Sequence, residues 1–121
     1  MTITATSQTV SLGADVVYDT GVVLVPALNV TGGAGTWYTI VAKSTDAATS
    51  YLKLFDATAV TQGTTQPNWI LQCKPNDTTV WTVPDGVTFS TGLSYFASEE
   101  NGAEAATAPS ALTIWIVVKR S

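Results

Sequence analysis

The sequence has few of the side chains that usually carry catalysis or bind metals. It contains no histidine, which is the commonest general base and the commonest metal ligand. Its single cysteine, Cys73, excludes an internal disulfide and a thiolate zinc cluster. Because Cys73 lies in an apolar segment, we expect a buried and inert thiol. The sequence therefore predicts a protein that is not an enzyme and that needs no cofactor or metal.

Charge is also scarce. Charged residues make up only 12% of the chain, and the net charge is −4. Five Lys and Arg residues cannot form the basic face that neutralises phosphates, so we expect no nucleic-acid partner. No apolar run approaches a membrane span, and residues 1–6 lack the basic and apolar regions of a signal peptide. We expect synthesis in a cytoplasm and no membrane partner.

The low charge has a consequence for the surface. Soluble monomers usually carry more surface charge than this, so a surface rich in Thr, Trp and Tyr favours contact with other subunits. A hydroxyl-rich extracellular β domain is the alternative interpretation. At 121 residues, the chain is long enough for one domain with a real core and too short for two.

Short strand-like segments, rich in β-branched and aromatic residues, recur roughly every ten residues between turn residues. This spacing predicts an all-β fold with one domain over residues 1–121, an antiparallel β-sandwich of jelly-roll or immunoglobulin-like topology, with a barrel still open. Residues 99–108 are interpreted as a loop, and residues 1–10 are also compatible with an extended arm. The predicted strands are 2–10, 16–18, 21–26, 36–43, 50–56, 69–74, 79–83, 87–90, 93–98 and 112–119.

Several strands carry apolar residues on both faces. In residues 112–119, alternation places Leu112 and its even-numbered neighbours in the core, and the other face then carries Trp115. Exposed apolar patches usually mark contacts with partners, and tryptophan is enriched at interface hot spots. We therefore predict a subunit interface on Trp37, Phe96, Trp115 and Val117. The alternative is that covering loops bury these rings within the sandwich itself.

Two other interpretations are considered for the polar and aromatic residues. Glu99-Glu100-Asn101 is the only dense cluster of oxygen ligands, and its spacing is not that of a calcium loop. Tryptophan rings stack on sugars, so a carbohydrate platform is the second interpretation. The residues for that platform are Trp37, Trp69, Trp81 and Trp115, with Asn68, Gln72 and Asn76 as polar partners.

Three segments, in order, resemble small β-sandwich proteins of tailed bacteriophages and prophages. In that group, an "x-Leu-Lys-Leu-Tyr/Phe-Asp/Asn" strand leads through a "Gly-Thr-x-x-Pro" loop to a "Gly-x-x-Phe-Ser-x-Gly-Leu" segment. The matching residues here are Tyr51-Leu52-Lys53-Leu54-Phe55-Asp56, then Gly63-Thr64 with Pro67, then Gly86-Val87-Thr88-Phe89-Ser90-Thr91-Gly92-Leu93. The match covers about the middle third of the chain.

The resemblance implies a structural role in the virion and supplies no catalytic residues. Such proteins resemble capsid cement (decoration) proteins or subunits of fibres and spikes, and the cement role implies a homotrimer on the capsid surface. The partners would be the major capsid protein and further copies of this chain. We predict shell contacts on the N-terminal residues Thr2, Ile3, Thr4, Thr6 and Gln8. The alternative is a glycan- or receptor-binding subunit of a fibre or spike.

Overall fold

The computed structural model describes residues 3–7 and 15–121. This part of the chain forms strands joined by turns and loops, and it contains no helix. The prediction of an all-β chain is confirmed, as is the loop at residues 99–108. The eight described strands are β1 (Ile3–Ser7), β2 (Asp15–Asp19), β3 (Gly35–Ser44), β4 (Ser50–Asp56), β5 (Trp69–Cys73), β6 (Thr78–Phe89), β7 (Leu93–Ser98) and β8 (Leu112–Arg120).

The strands form two antiparallel sheets that pack face to face as a β-sandwich. The large sheet has the order β1-β2-β8-β3-β6, and the small sheet has the order β5-β4-β7. The chain crosses between the sheets after β3, β5, β6 and β7. Residues 22–30 lie beside β7, in the position that a fourth strand of the small sheet would occupy. This alternation is typical of a jelly roll and differs from the strand arrangement of an immunoglobulin-like domain.

The core lies between the two sheets. Strand β8 contributes Leu112, Ile114, Ile116 and Val118, all at most 1% exposed, as its alternation predicts. At one side, Tyr95 of β7 donates a hydrogen bond of 2.8 Å to the buried Asp19 carboxylate of β2. At the other side, Trp37 of β3 meets Trp69 of β5 edge to face, with ring centroids 6.1 Å apart. These contacts place β7 over β2 and β5 over β3.

Strand β6 joins two segments that the sequence predicts as separate strands. The predicted segments are 79–83 and 87–90. Between Thr82 and Val87, a short excursion of four residues of β6 lies opposite one residue, Tyr38, of β3. Gly86 has a φ of 78° in this excursion. A Cβ at Gly86 would lie 2.2 Å from a Thr36 methyl carbon, so the close approach of the two strands requires glycine there.

Residues 21–26 are predicted as a strand, and the structure shows this to be wrong. The segment instead runs beside β7 in irregular form. The Val23 carbonyl oxygen accepts a hydrogen bond from the Ala97 amide of β7. Just beyond this segment, Ala27 makes an isolated bridge with Tyr95, and the Val30 amide donates to the Leu93 carbonyl oxygen. This segment covers the outer edge of β7, so one edge of the small sheet is protected by the chain itself.

The N-terminal residues are part of the large sheet where the structure describes them. Residues Ile3–Ser7 form β1, which pairs with all of β2. The backbone of this stretch is thus paired within the chain, and the extended arm over residues 1–10 stays a prediction. Of the predicted shell contacts, Ile3, Thr4 and Thr6 lie on β1, while Thr2 and Gln8 lie outside the described residues.

Candidate interaction surfaces

The structure places Trp37 in the core, so its prediction as a subunit-interface residue is wrong. The side chain is only 3% exposed. A β-bulge between Trp37 and Thr39 shifts the alternation of β3 by one residue. Trp37 therefore shares the inner face with Ile40, although simple alternation places the two on opposite faces.

Phe96 also fails as an exposed interface residue, for a different reason. It does lie on the outer face of the small sheet, as alternation predicts, yet it is only 1% exposed. Its ring stacks on Phe55 at a centroid distance of 5.5 Å. The Lys53 Nζ atom lies 5.3 Å from the centre of the same ring. The chain's own loops cover this face, which matches the alternative that the sequence leaves open.

Lys53 fastens the loop between β7 and β8 over this face. The fully buried side chain donates from Nζ to Ser98 Oγ at 2.6 Å and to the Glu104 carbonyl oxygen. Burial lowers the pKa of Lys53, and the carboxylates of Glu100 and Glu104 partly oppose that shift. The loop is held against the sheet by a desolvated ammonium group that points outward from the strand.

Glu100 closes the same loop on itself. Its Oε1 atom accepts hydrogen bonds of 2.9 Å from the amides of Ala106 and Thr107. The Thr107 hydrogen bonds in particular lower the pKa of Glu100 to about 2. The carboxylate next to it behaves differently, because burial and the charge of Asp46 raise the pKa of Glu99. These carboxylates serve loop structure, and the described residues contain no group of three metal-ligating side chains.

The first and third of the segments that carry the phage resemblance contact each other at Asp56. The Asp56 carboxylate, at the end of β4, accepts hydrogen bonds from the amides of Ser90 (2.9 Å) and Thr91 (2.8 Å). Burial of Asp56 works against ionisation, but the amides of Ser90, Thr91 and Gly92 outweigh it and lower the pKa of the carboxyl group. The Asp56 carboxylate thus links the end of β4 to the turn between β6 and β7.

The outer face of the large sheet is different, because no described loop covers it. Strand register aligns Tyr18, Trp115, Val41 and Val80 in one row across β2, β8, β3 and β6. The next row contains Val16 and Val117. We define these six apolar residues as the outer band: Val16, Tyr18, Val41, Val80, Trp115 and Val117.

The residues of the outer band are partly or largely open to solvent. Val80 is 57% exposed, and the other five are half-buried. The Tyr18 and Trp115 rings pack together with centroids 5.4 Å apart. The outward direction predicted for Trp115 and Val117 is confirmed, whereas their role in subunit contact stays a prediction. Four residues of the outer band are not among the predicted interface residues, although alternation in β2, and in β3 beyond the bulge, indicates their outward direction: Val16, Tyr18, Val41 and Val80.

The four tryptophans do not form one sugar-binding platform. Trp37 is in the core, and Trp115 lies on the outer face of the large sheet. Trp69 and Trp81 are partly buried on the inner faces of β5 and β6, where they pack against the core. The side-chain oxygen of Asn68 accepts a hydrogen bond from the Asp56 amide, so this predicted polar partner is already engaged.

Cys73 is buried as predicted, with 1% of its surface exposed. Burial raises the pKa of its thiol to about 11, so the reactive thiolate is disfavoured at neutral pH. The described residues include no helix that could span a membrane. No family model, no curated protein and no solved structure matches this chain.

Proposed function

We propose that this protein is a structural component of a tailed-phage virion, a cement protein that decorates the capsid. It is made in the host cytoplasm, binds the major capsid protein and associates with further copies of itself. Its action is binding spread over many contacts, without a reaction, a cofactor, a nucleic acid or a membrane. The observation that carries the proposal is the outer band, an apolar stripe that no described loop covers and that is partly open to solvent.

The position of the outer band favours contact with a protein. Its first row crosses four strands, and its second row crosses β2 and β8. Both rows are partly open to water, and the paired positions on that face of the described strands carry no carboxylate. A flat surface of this kind buries apolar side chains without desolvating unpaired acids. The half-buried Trp115 lies within it and fits the role of a hot spot.

Strand β1 extends the same surface. Thr4 pairs with Tyr18 and Thr6 pairs with Val16, so the predicted shell-contact strand adjoins the outer band. We assign the outer band together with β1 to the contact with the capsid shell. This assignment gives Trp115 and Val117 a contact with the shell, whereas the sequence predicts them at an interface between subunits of this protein.

The fold itself is compatible with this role. Jelly rolls are frequent in viral capsid and lectin domains, so the topology favours neither a shell protein nor a sugar-binding protein. The scattered tryptophans give no specific support to the sugar-binding alternative. The resemblance to phage proteins together with the uncovered apolar band supports the shell role.

Co-sedimentation with empty expanded capsids of the same phage tests the proposal. Replacement of a hot-spot tryptophan by a charge usually removes 2 kcal/mol or more, so Trp115→Asp should weaken capsid binding by more than about 30-fold. The matched control is Ala106→Asp, which adds the same charge on an exposed loop over the small sheet and should bind like wild type. A folded wild-type protein that never sediments with capsids would remove the proposal.

A further inference from the structure

Strand β6 is an edge strand with an open side. Among the described strands, it pairs only with β3. Residues 78–83 read Thr-Thr-Val-Trp-Thr-Val, without a charge, a glycine or a proline. Edge strands are normally protected by charges, prolines or covering segments, and an uncharged β-branched edge attracts other strands. Residues 22–30 cover the edge of β7. No described segment covers the edge of β6 in the same way.

The apolar side chains next to β6 are also incompletely covered. Strand β5 is the neighbouring edge of the small sheet, and the structure describes no strand on its outer side. Between these two edges, four apolar side chains pack against the core while staying partly exposed: Trp69, Leu71, Trp81 and Val83. Open backbone N–H and C=O groups require a partner with an extended backbone, and the side chains require an apolar one.

We propose that β6 pairs antiparallel with β6 of a second copy and joins the two large sheets into one continuous sheet. This inference rests on the self-association included in the proposed function. It gives that association two-fold symmetry, whereas the resemblance implies a trimer. Two-fold homodimers are the commonest oligomers, and their interfaces must be self-complementary.

The sequence of β6 meets that requirement. Directly opposite residues of antiparallel strands share a face, so a two-fold axis at Val80 places Val80 against Val80 of the second copy. Thr78 then faces Thr82 of the second copy. The pairing runs over residues 78–82, which carry no charge, and Thr79 faces Trp81 of the second copy. Thr–Thr, Val–Val and aromatic–β-branched pairs are favourable across strands. The pairing also extends the row that ends at the 57% exposed Val80.

A cysteine at the proposed axis gives a direct test. Val80→Cys should form a disulfide-linked dimer under mild oxidation, because opposite Cα atoms in a sheet lie within disulfide reach. The native Cys73 is buried and does not compete. The matched control is Val41→Cys, one strand inward in the same row. In the edge-paired dimer, the two Val41 positions are three strand spacings apart, roughly 14 Å, and cannot link.

A strong crosslink from Val41→Cys with none from Val80→Cys would show face-to-face association and overturn the edge pairing. The mass of the wild-type protein in solution is the second measurement, and we expect a dimer. A monomer or a trimer at high concentration would also overturn it. Val80→Lys places two ammonium groups opposite each other and should weaken dimerisation at least about tenfold while leaving the fold intact.

The outcomes separate this inference from the proposed function. Dimerisation is measured without capsids, whereas the shell role is measured by capsid binding and its loss in Trp115→Asp. A protein that dimerises through β6 but ignores capsids contradicts the proposed function alone. A protein that binds capsids as a monomer or a trimer contradicts the edge pairing alone.

Discussion

The two outer faces of the sandwich carry similar sequences and have different environments. Strand β7 alternates Phe96 with serines, and strand β8 alternates Trp115 with threonine and valine. Phe96 is buried, because the loop after β7 is fastened over it by Lys53. Trp115 is half-buried, because no described loop crosses the large sheet. Both aromatic residues point outward from their sheet. Phe96 belongs to a second small core, whereas Trp115 belongs to the partly exposed outer band.

The direction of a side chain and its coverage by loops have different origins in the sequence. The direction of a side chain depends on local alternation, which the sequence displays. Its coverage depends on where a distant loop returns, which is decided by contacts such as those of Lys53 with Ser98 and Glu104. An aromatic residue on an outer face therefore indicates a partner only where the chain itself provides no cover.

The largest expected effect is the difference between truncating the two aromatic residues. Phe96→Ala removes a buried ring that stacks on Phe55, and it should lower the free energy of unfolding by about 3–5 kcal/mol. Trp115→Ala removes a half-exposed ring and should lower it by about 1 kcal/mol. Urea denaturation of both variants measures the two values. Equal losses would mean that the two faces are equally covered.

Part of this architecture follows from the sequence, for identifiable reasons. Alternation correctly assigns the buried face of β8 and the outward direction of Trp115. It fails at Trp37, since a bulge at Tyr38 shifts the phase of β3 and turn-like residues do not mark that bulge. It also fails at residues 21–26, whose apolar composition suits a strand but whose backbone makes only scattered contacts with β7.

In the outer band too, local alternation predicts some features, and long-range contacts decide the others. Trp115 and Val117 follow from alternation in one strand, whereas the outer band exists only because β2, β3 and β6 are brought beside β8. Strand order is a long-range property, and the sequence leaves a jelly roll, an immunoglobulin-like sandwich and a barrel open. The cover over Phe96 is likewise a long-range contact between β4 and the loop after β7.

The second expected effect concerns the fastening of the small sheet. Asp56→Ala removes the carboxylate that accepts hydrogen bonds from the Ser90 and Thr91 amides. Hydrogen bonds to charged groups contribute more than neutral ones, so the free energy of unfolding should fall by about 2 kcal/mol. The matched control is Asp85→Ala in the exposed excursion of β6, where we expect a change within about 0.5 kcal/mol. A loss of the same size in both variants would indicate a general charge effect instead.

A smaller and local effect is expected at the cover over Phe96. Lys53→Met keeps most of the buried volume but removes the ammonium group that holds the Glu104 carbonyl oxygen. We expect hydrogen exchange at the Ala106 and Thr107 amides to accelerate about tenfold, which corresponds to roughly 1.4 kcal/mol of local stability. Exchange in β8 should change little.

The control for this variant is Lys43→Met, an exposed lysine on the large sheet. It should leave exchange in the loop after β7 unchanged. If Lys53→Met also leaves it unchanged, the loop is held by its internal hydrogen bonds alone, and Lys53 does not distinguish the two faces.

The smallest expected effect is the acid sensitivity of the same cover. The pKa of Glu100 is about 2 in the folded protein against 4.5 for the free group, so its carboxylate stabilises the fold above pH 4.5. That contribution is lost as the pH falls from 4.5 towards 2, because the unfolded chain then binds a proton before the folded one does. Glu100→Gln should therefore reduce the loss of unfolding free energy over this range, as measured by urea denaturation at several pH values.

The neighbouring Glu99 should contribute to the pH dependence with the opposite sign, because its pKa is raised in the folded protein. Glu99→Gln should therefore steepen the loss of unfolding free energy just above pH 4.5. If both variants keep the wild-type dependence, the carboxylates of this loop titrate alike in the folded and unfolded chain, and the cover over Phe96 does not depend on their charge.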